Sequence, residues 1–88
     1  MEHKKAWQLI DQVGWCQDQW VKRNKQRMII GYCAHGAIDE VYGYGTAAFW
    51  AAIDTVRATI GDPHITRWND APERTKEQVV AALKEANV

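Results

Sequence analysis

The sequence contains no long apolar run, and no stretch approaches the roughly 18–20 residues that a membrane-spanning helix needs. It also has no excess of charge of either sign, because eleven basic residues balance eleven acidic ones. Overall charge therefore gives no reason to expect a nucleic acid or a membrane as partner. Only two cysteines are present, which excludes a disulfide-dense scaffold, and the first residues do not resemble a secretory leader. We expect a cytoplasmic protein.

What the sequence does contain fits one small globular domain spanning residues 1–88. A chain of this length has room for a single hydrophobic core. Its 47 % apolar and 25 % charged residues are ordinary for a folded protein. Five tryptophans are the most unusual feature of the composition.

Helical periodicity marks four segments of the chain. Apolar residues recur at helical spacing over residues 4–13, and a short helix is predicted over 36–42. A longer helix is expected to start after Thr46 and to end at Ile60, before Gly61-Asp62-Pro63. Thr75-Lys76-Glu77-Gln78 has the pattern of a capping box and predicts the last helix. Residues 64–74 between these helices are expected to be irregular.

Two segments between the first and second helices favour β-structure. Residues 15–21 and 28–33 are rich in aromatic and β-branched side chains, and the polar run 22–27 separates them. A two-residue turn at Asn24-Lys25 predicts three pairs: Trp20 with Ile29, Gln17 with Tyr32, and Cys16 with Cys33. The whole chain is therefore predicted to have an α+β fold. A two-stranded β-hairpin packs against about four helices, in the order α-β-β-α-α-α.

Three motifs carry a resemblance to a known family. They are Gly14-Trp15-Cys16-Gln17, Cys33-Ala34-His35-Gly36-Ala37, and Trp68-Asn69-Asp70 followed by Arg74-Thr75. In this order they resemble a family of small bacterial and phage proteins known only as a domain of unknown function. The resemblance implies a compact α+β domain and an origin in a phage or another mobile element. It implies no reaction.

The two cysteines allow three interpretations. Cys16, Cys33 and His35 could supply three zinc ligands, with a fourth from water or His64. The close Cys-x-x-Cys pairs typical of structural zinc sites are missing, however. A disulfide between the two cysteines is the second interpretation. Reduced, buried thiols are the third and the favoured one, so no metal and no cofactor are expected.

Cys33 is also a candidate nucleophile, because it precedes a predicted helix whose dipole would lower the pKa of its thiol. His64 fits the role of general base better than His35, which is only two residues away along the chain. Asn69 or Asp70 could orient that base. The enzymatic alternative is thus a cysteine-dependent enzyme that uses Cys33 and His64.

The run Lys22-Arg23-Asn24-Lys25-Gln26-Arg27 places four positive charges at the expected tip of the hairpin. With Trp20 and Tyr32 close by, this tip could hold phosphates and stack a base, which makes nucleic-acid binding a further alternative. A solvated turn whose charges prevent edge pairing is the plainer interpretation.

The tryptophans suggest a binding surface. Trp7 and Trp50 lie in predicted helices next to core positions, and we expect them to be buried or half-buried. The other three lie in loops or strands, where such rings often mark recognition surfaces. The predicted ligand-binding residues are Trp15, Trp20, Tyr32, Trp68, Asn69 and Asp70, with Arg27 and Arg74 at the rim. A purely structural role for Trp68-Asn69-Asp70 stays open.

These features favour a non-enzymatic binding protein that captures a host protein or a small, nucleotide-like anionic ligand, for example to inhibit host defence. Arg74 either holds Asp70 or binds the anionic ligand. Tyr42-Gly43-Tyr44-Gly45 could form a lid or an interface, so a homo-oligomer is a further expectation.

Overall fold

Two short strands and five helices form the α+β fold of the computed structural model, which describes residues 4–88. The elements are α1 (Ala6–Val13), β1 (Val21–Arg23), β2 (Ile29–Tyr32), α2 (Ala34–Tyr42), α3 (Ala47–Ile60), α4 (Ile65–Asn69) and α5 (Lys76–Glu85). The predicted fold class and order are confirmed, and the structure adds α4 within the segment expected to be irregular. None of the helices in the described part combines the length and apolarity needed to cross a membrane.

The helix starts follow local capping signals. The hydroxyl of Thr46 accepts a hydrogen bond from the Phe49 amide at 3.1 Å, which fixes the start of α3. Thr75 and Gln78 form the predicted capping box of α5, with reciprocal bonds of 3.0 and 3.2 Å. The thiol of Cys33 caps α2, so this helix begins two residues earlier than predicted.

The core lies where α1 packs against α2, α5 and β2, and where α3 packs against α2 and α5. Its largest fully buried apolar side chains are Ile10, Ile38, Phe49, Ile53, Val56, Val79 and Leu83. They come from α1, α2, α3 and α5, the four helices that the sequence predicts. The C-terminal Val88 is buried as well, and its carbonyl accepts a hydrogen bond from the Tyr42 hydroxyl at 3.0 Å.

The predicted hairpin register is wrong. The strands pair Val21 with Tyr32, Lys22 with Gly31 and Arg23 with Ile29, and the register shifts between Lys22 and Arg23. The turn is longer than two residues because the Asn24 side chain organises it. Its Oδ1 accepts hydrogen bonds from the backbone amides of Gln26 and Met28, at 2.9 and 3.0 Å. Arg27 completes the turn with a positive φ of 65°.

The segment predicted as the start of the first strand lies instead on the other edge of β2. Trp15 forms a parallel bridge with Tyr32, whose backbone bonds Gly14 and Cys16 at 3.0 and 3.1 Å. The chain then turns at Asp18, which has a φ of 66°. This arrangement leaves Cys16 and Cys33 out of the cross-strand pairing predicted for them.

Candidate functional site

A buried polar network surrounds the side chain of Asn69. The Oδ1 of this residue accepts hydrogen bonds from Trp15 Nε1 at 2.8 Å and from the Ala34 amide at 3.0 Å. Its Nδ2 donates to the Cys16 carbonyl at 3.1 Å and to Asp70 Oδ1 at 2.9 Å. All four hydrogen-bonding positions of the amide are therefore used inside the protein. Asn69 is fully buried, so it supports the fold at this point.

Gln17 and Asp18 extend the network. Gln17 Nε2 donates to the carbonyls of Asn69 and Ala71, at 3.1 and 2.8 Å. The Asp18 amide donates to Asp70 Oδ1 at 2.9 Å. The Trp15-Cys16-Gln17 motif thus holds the Trp68-Asn69-Asp70 motif through hydrogen bonds between residues more than 50 positions apart. The structure brings Trp15, Asn69 and Asp70 together as parts of this scaffold.

Arg74 interacts with Trp68 and not with Asp70. Its Nε donates to the Trp68 carbonyl at 2.9 Å, and its guanidinium carbon lies 4.2 Å from the centre of the Trp68 ring. Through the hydrogen bond and the cation–π contact, Arg74 connects the segment before α5 to α4. Of the two roles predicted for Arg74, this arrangement matches the structural one, with a different partner. Asp70 takes its hydrogen bonds from Asp18 and Asn69 instead.

The other predicted ligand residues lie elsewhere. Tyr32 is buried in the core cluster, Arg27 is exposed in the hairpin turn, and Trp20 is exposed just before β1. The eight predicted ligand-binding residues are therefore spread over four places. These are the buried polar network around Asn69, which we call the scaffold network, the α4–α5 connection, the core and the surface.

Cys33 has an environment that opposes nucleophilic chemistry. It is fully buried, and burial raises the pKa of its thiol to about 11 in spite of the amide of Gly36, which bonds the sulfur at 3.2 Å. At neutral pH the group is a thiol, whereas the reactive form of cysteine is the thiolate. Burial and the nearby Asp70 raise the pKa of Cys16 too.

The structure shows Cys16 and Cys33 as free thiols, so the disulfide alternative is not formed. Cys16 donates a weak hydrogen bond to the Gln19 carbonyl at 3.4 Å. Within residues 4–88, no three side chains of His, Cys, Asp or Glu are grouped so that they could hold a metal ion. The proposed zinc set of Cys16, Cys33 and His35 therefore does not converge.

Five aromatic rings in contact form what we call the aromatic surface: Trp20, His35, Tyr44, Phe49 and Trp50. Trp20 stacks on His35 with 4.5 Å between ring centres. Phe49 lies beneath, with 5.1 Å to Tyr44 and 4.9 Å to Trp50. The three outer rings are 44 %, 62 % and 47 % exposed for Trp20, Tyr44 and Trp50, respectively. This is a large apolar area facing solvent.

Most of this surface was not predicted from the sequence. Trp50 was expected to be buried or half-buried, and at 47 % exposure about half of its surface is buried, but it was not among the predicted ligand-binding residues. A signal was present, because Phe49 belongs to the apolar stripe of α3 and the next residue on a helix points about 100° away from it. Tyr44 belongs to the stretch for which an interface or a lid was predicted, and its contact with Trp20 comes from tertiary packing.

The strand pair β1–β2 with its turn, residues 21–32, forms a second exposed feature, the basic hairpin. It carries Lys22, Arg23, Lys25 and Arg27, and no acidic residue occurs between positions 19 and 38. Seven basic and eleven acidic residues remain elsewhere, so the rest of the chain has a net charge of −4. Met28 and Ile30 of the hairpin are 65 % and 41 % exposed. The hairpin therefore combines positive charge with exposed aliphatic side chains.

Comparison with known proteins assigns the chain to a family. The family model described as a family of unknown function, DUF6197, matches residues 4–87. The chain belongs to the DUF6197 family. The DUF6197 match spans the scaffold network, the aromatic surface and the basic hairpin alike. The chain matches no curated protein and no solved structure.

Proposed function

We propose that this DUF6197 protein is a non-enzymatic binding protein that captures another protein through the aromatic surface and the basic hairpin. One observation carries the proposal. All five large apolar side chains that are strongly exposed within residues 4–88 lie in these two features: Trp20, Met28, Ile30, Tyr44 and Trp50. Exposed large apolar side chains that are grouped in this way are typical of surfaces that a partner covers.

The charge of the hairpin specifies the partner as a protein with an acidic surface. Four basic side chains without an intervening acid create a local positive field, which accelerates and orients association with an acidic patch. Trp, Tyr and Arg are also the residue types that contribute most to protein–protein binding. Met28 and Ile30 favour a protein over a nucleic acid, because exposed aliphatic side chains offer no stacking platform for bases.

Two further observations agree with this proposal. The high pKa and complete burial of Cys33 leave the enzymatic alternative without its nucleophile. Free thiols at Cys16 and Cys33 suit a reducing compartment, which supports the expected cytoplasmic location. An origin in a phage or mobile element, and inhibition of host defence as the purpose of capture, stay predictions based on the resemblance.

The test is affinity capture from a lysate of the encoding organism or its host, followed by calorimetry with the purified partner. Trp20→Ala should weaken binding about 30-fold or more, the size expected for the loss of a central tryptophan. Lys25→Glu should weaken binding at low salt, whereas Lys4→Glu, the same charge change at another exposed lysine, should have little effect. Equal affinities of the wild type and the Trp20 variant would contradict the proposal.

The nucleic-acid alternative is measured with the same four proteins, the wild type and its three variants. A labelled single-stranded oligodeoxythymidylate is titrated with each at low and high salt. If it binds tightly, and only Trp20→Ala and Lys25→Glu abolish the binding, the surface is a nucleic-acid interface and protein capture is the wrong function. Light scattering of the free protein tests whether a second copy of the chain covers the surface, because the molar mass in solution would then be that of a dimer.

A further inference from the structure

A cleft of about 520 Å³ opens between α2, α3 and α4. Its floor is apolar where Ile53 and Ile65 face it. Its polar lining comes from His35, Arg57, His64, Thr66, Arg67 and Asp70. The volume is within the range of small-molecule sites, and the polar groups come from three separate elements and the connection before α4. None of these lining residues except Asp70 was among the predicted ligand-binding residues.

Two guanidinium groups line the cleft and keep donors available. Arg57 is fixed by its Nε, which donates to the Pro63 carbonyl at 2.9 Å, while its Nη1 lies 3.5 Å from the exposed Asp54. Arg67 Nη2 lies 3.5 Å from Asp62. Such long, solvent-exposed ion pairs bind weakly. Because each guanidinium has five N–H donors, most donors of both side chains are available to an anion.

His35 lines the same cleft with a ring that its neighbours hold in place. Its Nδ1 is inaccessible to solvent and has no hydrogen-bond partner among residues 4–88. The ring cannot easily turn away, because Trp20 stacks on one face and Phe49 contacts it edge-on at 5.5 Å. These two contacts fix the orientation of the His35 ring where it lines the cleft.

We propose that this cleft binds the phosphate group of a small hydroxylated metabolite, such as a sugar phosphate. A phosphate has more acceptor oxygens than a carboxylate, and the donors of Arg57, His64, Thr66 and Arg67 line the cleft from α3, α4 and the connection between them. Asp70 would repel a second anionic group. Its carboxylate can instead accept a hydrogen bond from a hydroxyl, which is why the proposal specifies a hydroxylated ligand.

The test is a titration of the full chain, labelled with ¹⁵N, with ribose 5-phosphate, and in parallel with inorganic phosphate and with sulfate at equal ionic strength. We expect saturable shifts of the His35 and Arg57 signals, with ribose 5-phosphate binding more tightly than phosphate and sulfate. Arg67→Ala should weaken binding about tenfold or more, because one charged donor pair is lost. Lys4→Ala, which removes an exposed positive charge outside the cleft, the aromatic surface and the basic hairpin, should leave the affinity unchanged.

Several outcomes would overturn the proposal. Linear, unsaturated shifts would show that no site exists, and equal shifts with sulfate would show an unspecific anion effect. Equal affinity of the wild type and the Arg67 variant would place binding elsewhere. Circular dichroism of both variants verifies that each is folded. The result is independent of partner capture, since Arg67 belongs neither to the aromatic surface nor to the basic hairpin.

Discussion

Replacing Asn69 by alanine should be among the most destabilising single changes in this protein. The substitution removes both ends of the buried amide at once. Trp15 Nε1, the Ala34 amide and the Cys16 carbonyl then lose their partner, and Asp70 loses a donor. A small cavity also remains, because Asn69 is fully buried and its neighbours belong to different parts of the chain.

The magnitude follows from the number of groups left unpaired. A buried donor or acceptor without a partner costs about 1–3 kcal/mol. The Ala34 amide is buried, whereas the indole of Trp15 is only partly buried and can recruit water. We therefore expect a loss of about 3–5 kcal/mol in the free energy of unfolding. A domain of this length has only about 4–13 kcal/mol in total, so this loss is a large fraction of the stability of the protein.

Urea denaturation followed by tryptophan fluorescence measures this loss, and Trp15 itself reports on the network. Asn87→Ala is the matched control, since Asn87 is exposed and only its positive φ of 57° resists alanine. That variant should lose about 1–2 kcal/mol or less. If Asn69→Ala lost no more than Asn87→Ala, the hydrogen bonds of the network would not support the fold, and the structural interpretation of the motif would be wrong.

Three further predictions follow from the contacts and the pKa shifts described above. Arg74→Ala should lower the free energy of unfolding by about 1–2 kcal/mol in urea melts, because a charged hydrogen bond and a stacked ring are lost; unchanged stability would contradict this role. Cys33, with a pKa of about 11, should react with a disulfide reagent at pH 7 only as fast as the protein opens. Burial lowers the pKa of His35 below 6.5, against the opposing effect of Asp39, so the unfolded chain binds its proton more readily. Stability should therefore fall as the pH drops below about 6.5, and His35→Gln should flatten the change between pH 7 and 5.5.

Signals that lie within a few residues of one another explain what could be predicted of the fold. Thr46 and Thr75 cap their helices through bonds to amides three residues later. Gly61 ends α3 in a left-handed conformation, with a φ of 68°. Each of these helix ends is determined by residues close by in the chain, so the helix order and the α+β class could be predicted from the sequence.

The hairpin register needed information that residue patterns do not carry. Asn24 has no glycine after it, and its side chain instead bonds two amides and lengthens the turn. Arg27 takes a positive φ there, which side-chain type does not predict for arginine. The chain also turns at Asp18, which places Trp15 beside Tyr32 in a parallel bridge on the other edge of β2, so Cys16 and Cys33 do not pair across the hairpin.

The candidate site could be predicted only in part, for a related reason. Trp20 and the basic run 22–27 were identified because they are unusual residues in an exposed segment. The aromatic surface also needs Tyr44 and Trp50, which follow Trp20 by 24 and 30 positions. Tyr44 contacts Trp20 directly, and Trp50 is connected to it through Phe49 and His35. Such contacts depend on how α2 packs against α3, and the local residue patterns of a sequence do not reveal that packing.

The motif residues and the exposed surface are nevertheless physically connected. The Cys33 amide donates to the Trp20 carbonyl at 3.0 Å, and Gly36 allows that carbonyl to approach the start of α2. A Cβ on Gly36 would lie 2.2 Å from the Trp20 oxygen, so any larger residue would displace the backbone that carries the indole. His35 lies between Cys33 and Gly36 in the chain and stacks directly on the Trp20 indole. The Cys33-Ala34-His35-Gly36 motif therefore positions Trp20, and a scaffold motif can be required for binding without touching the partner.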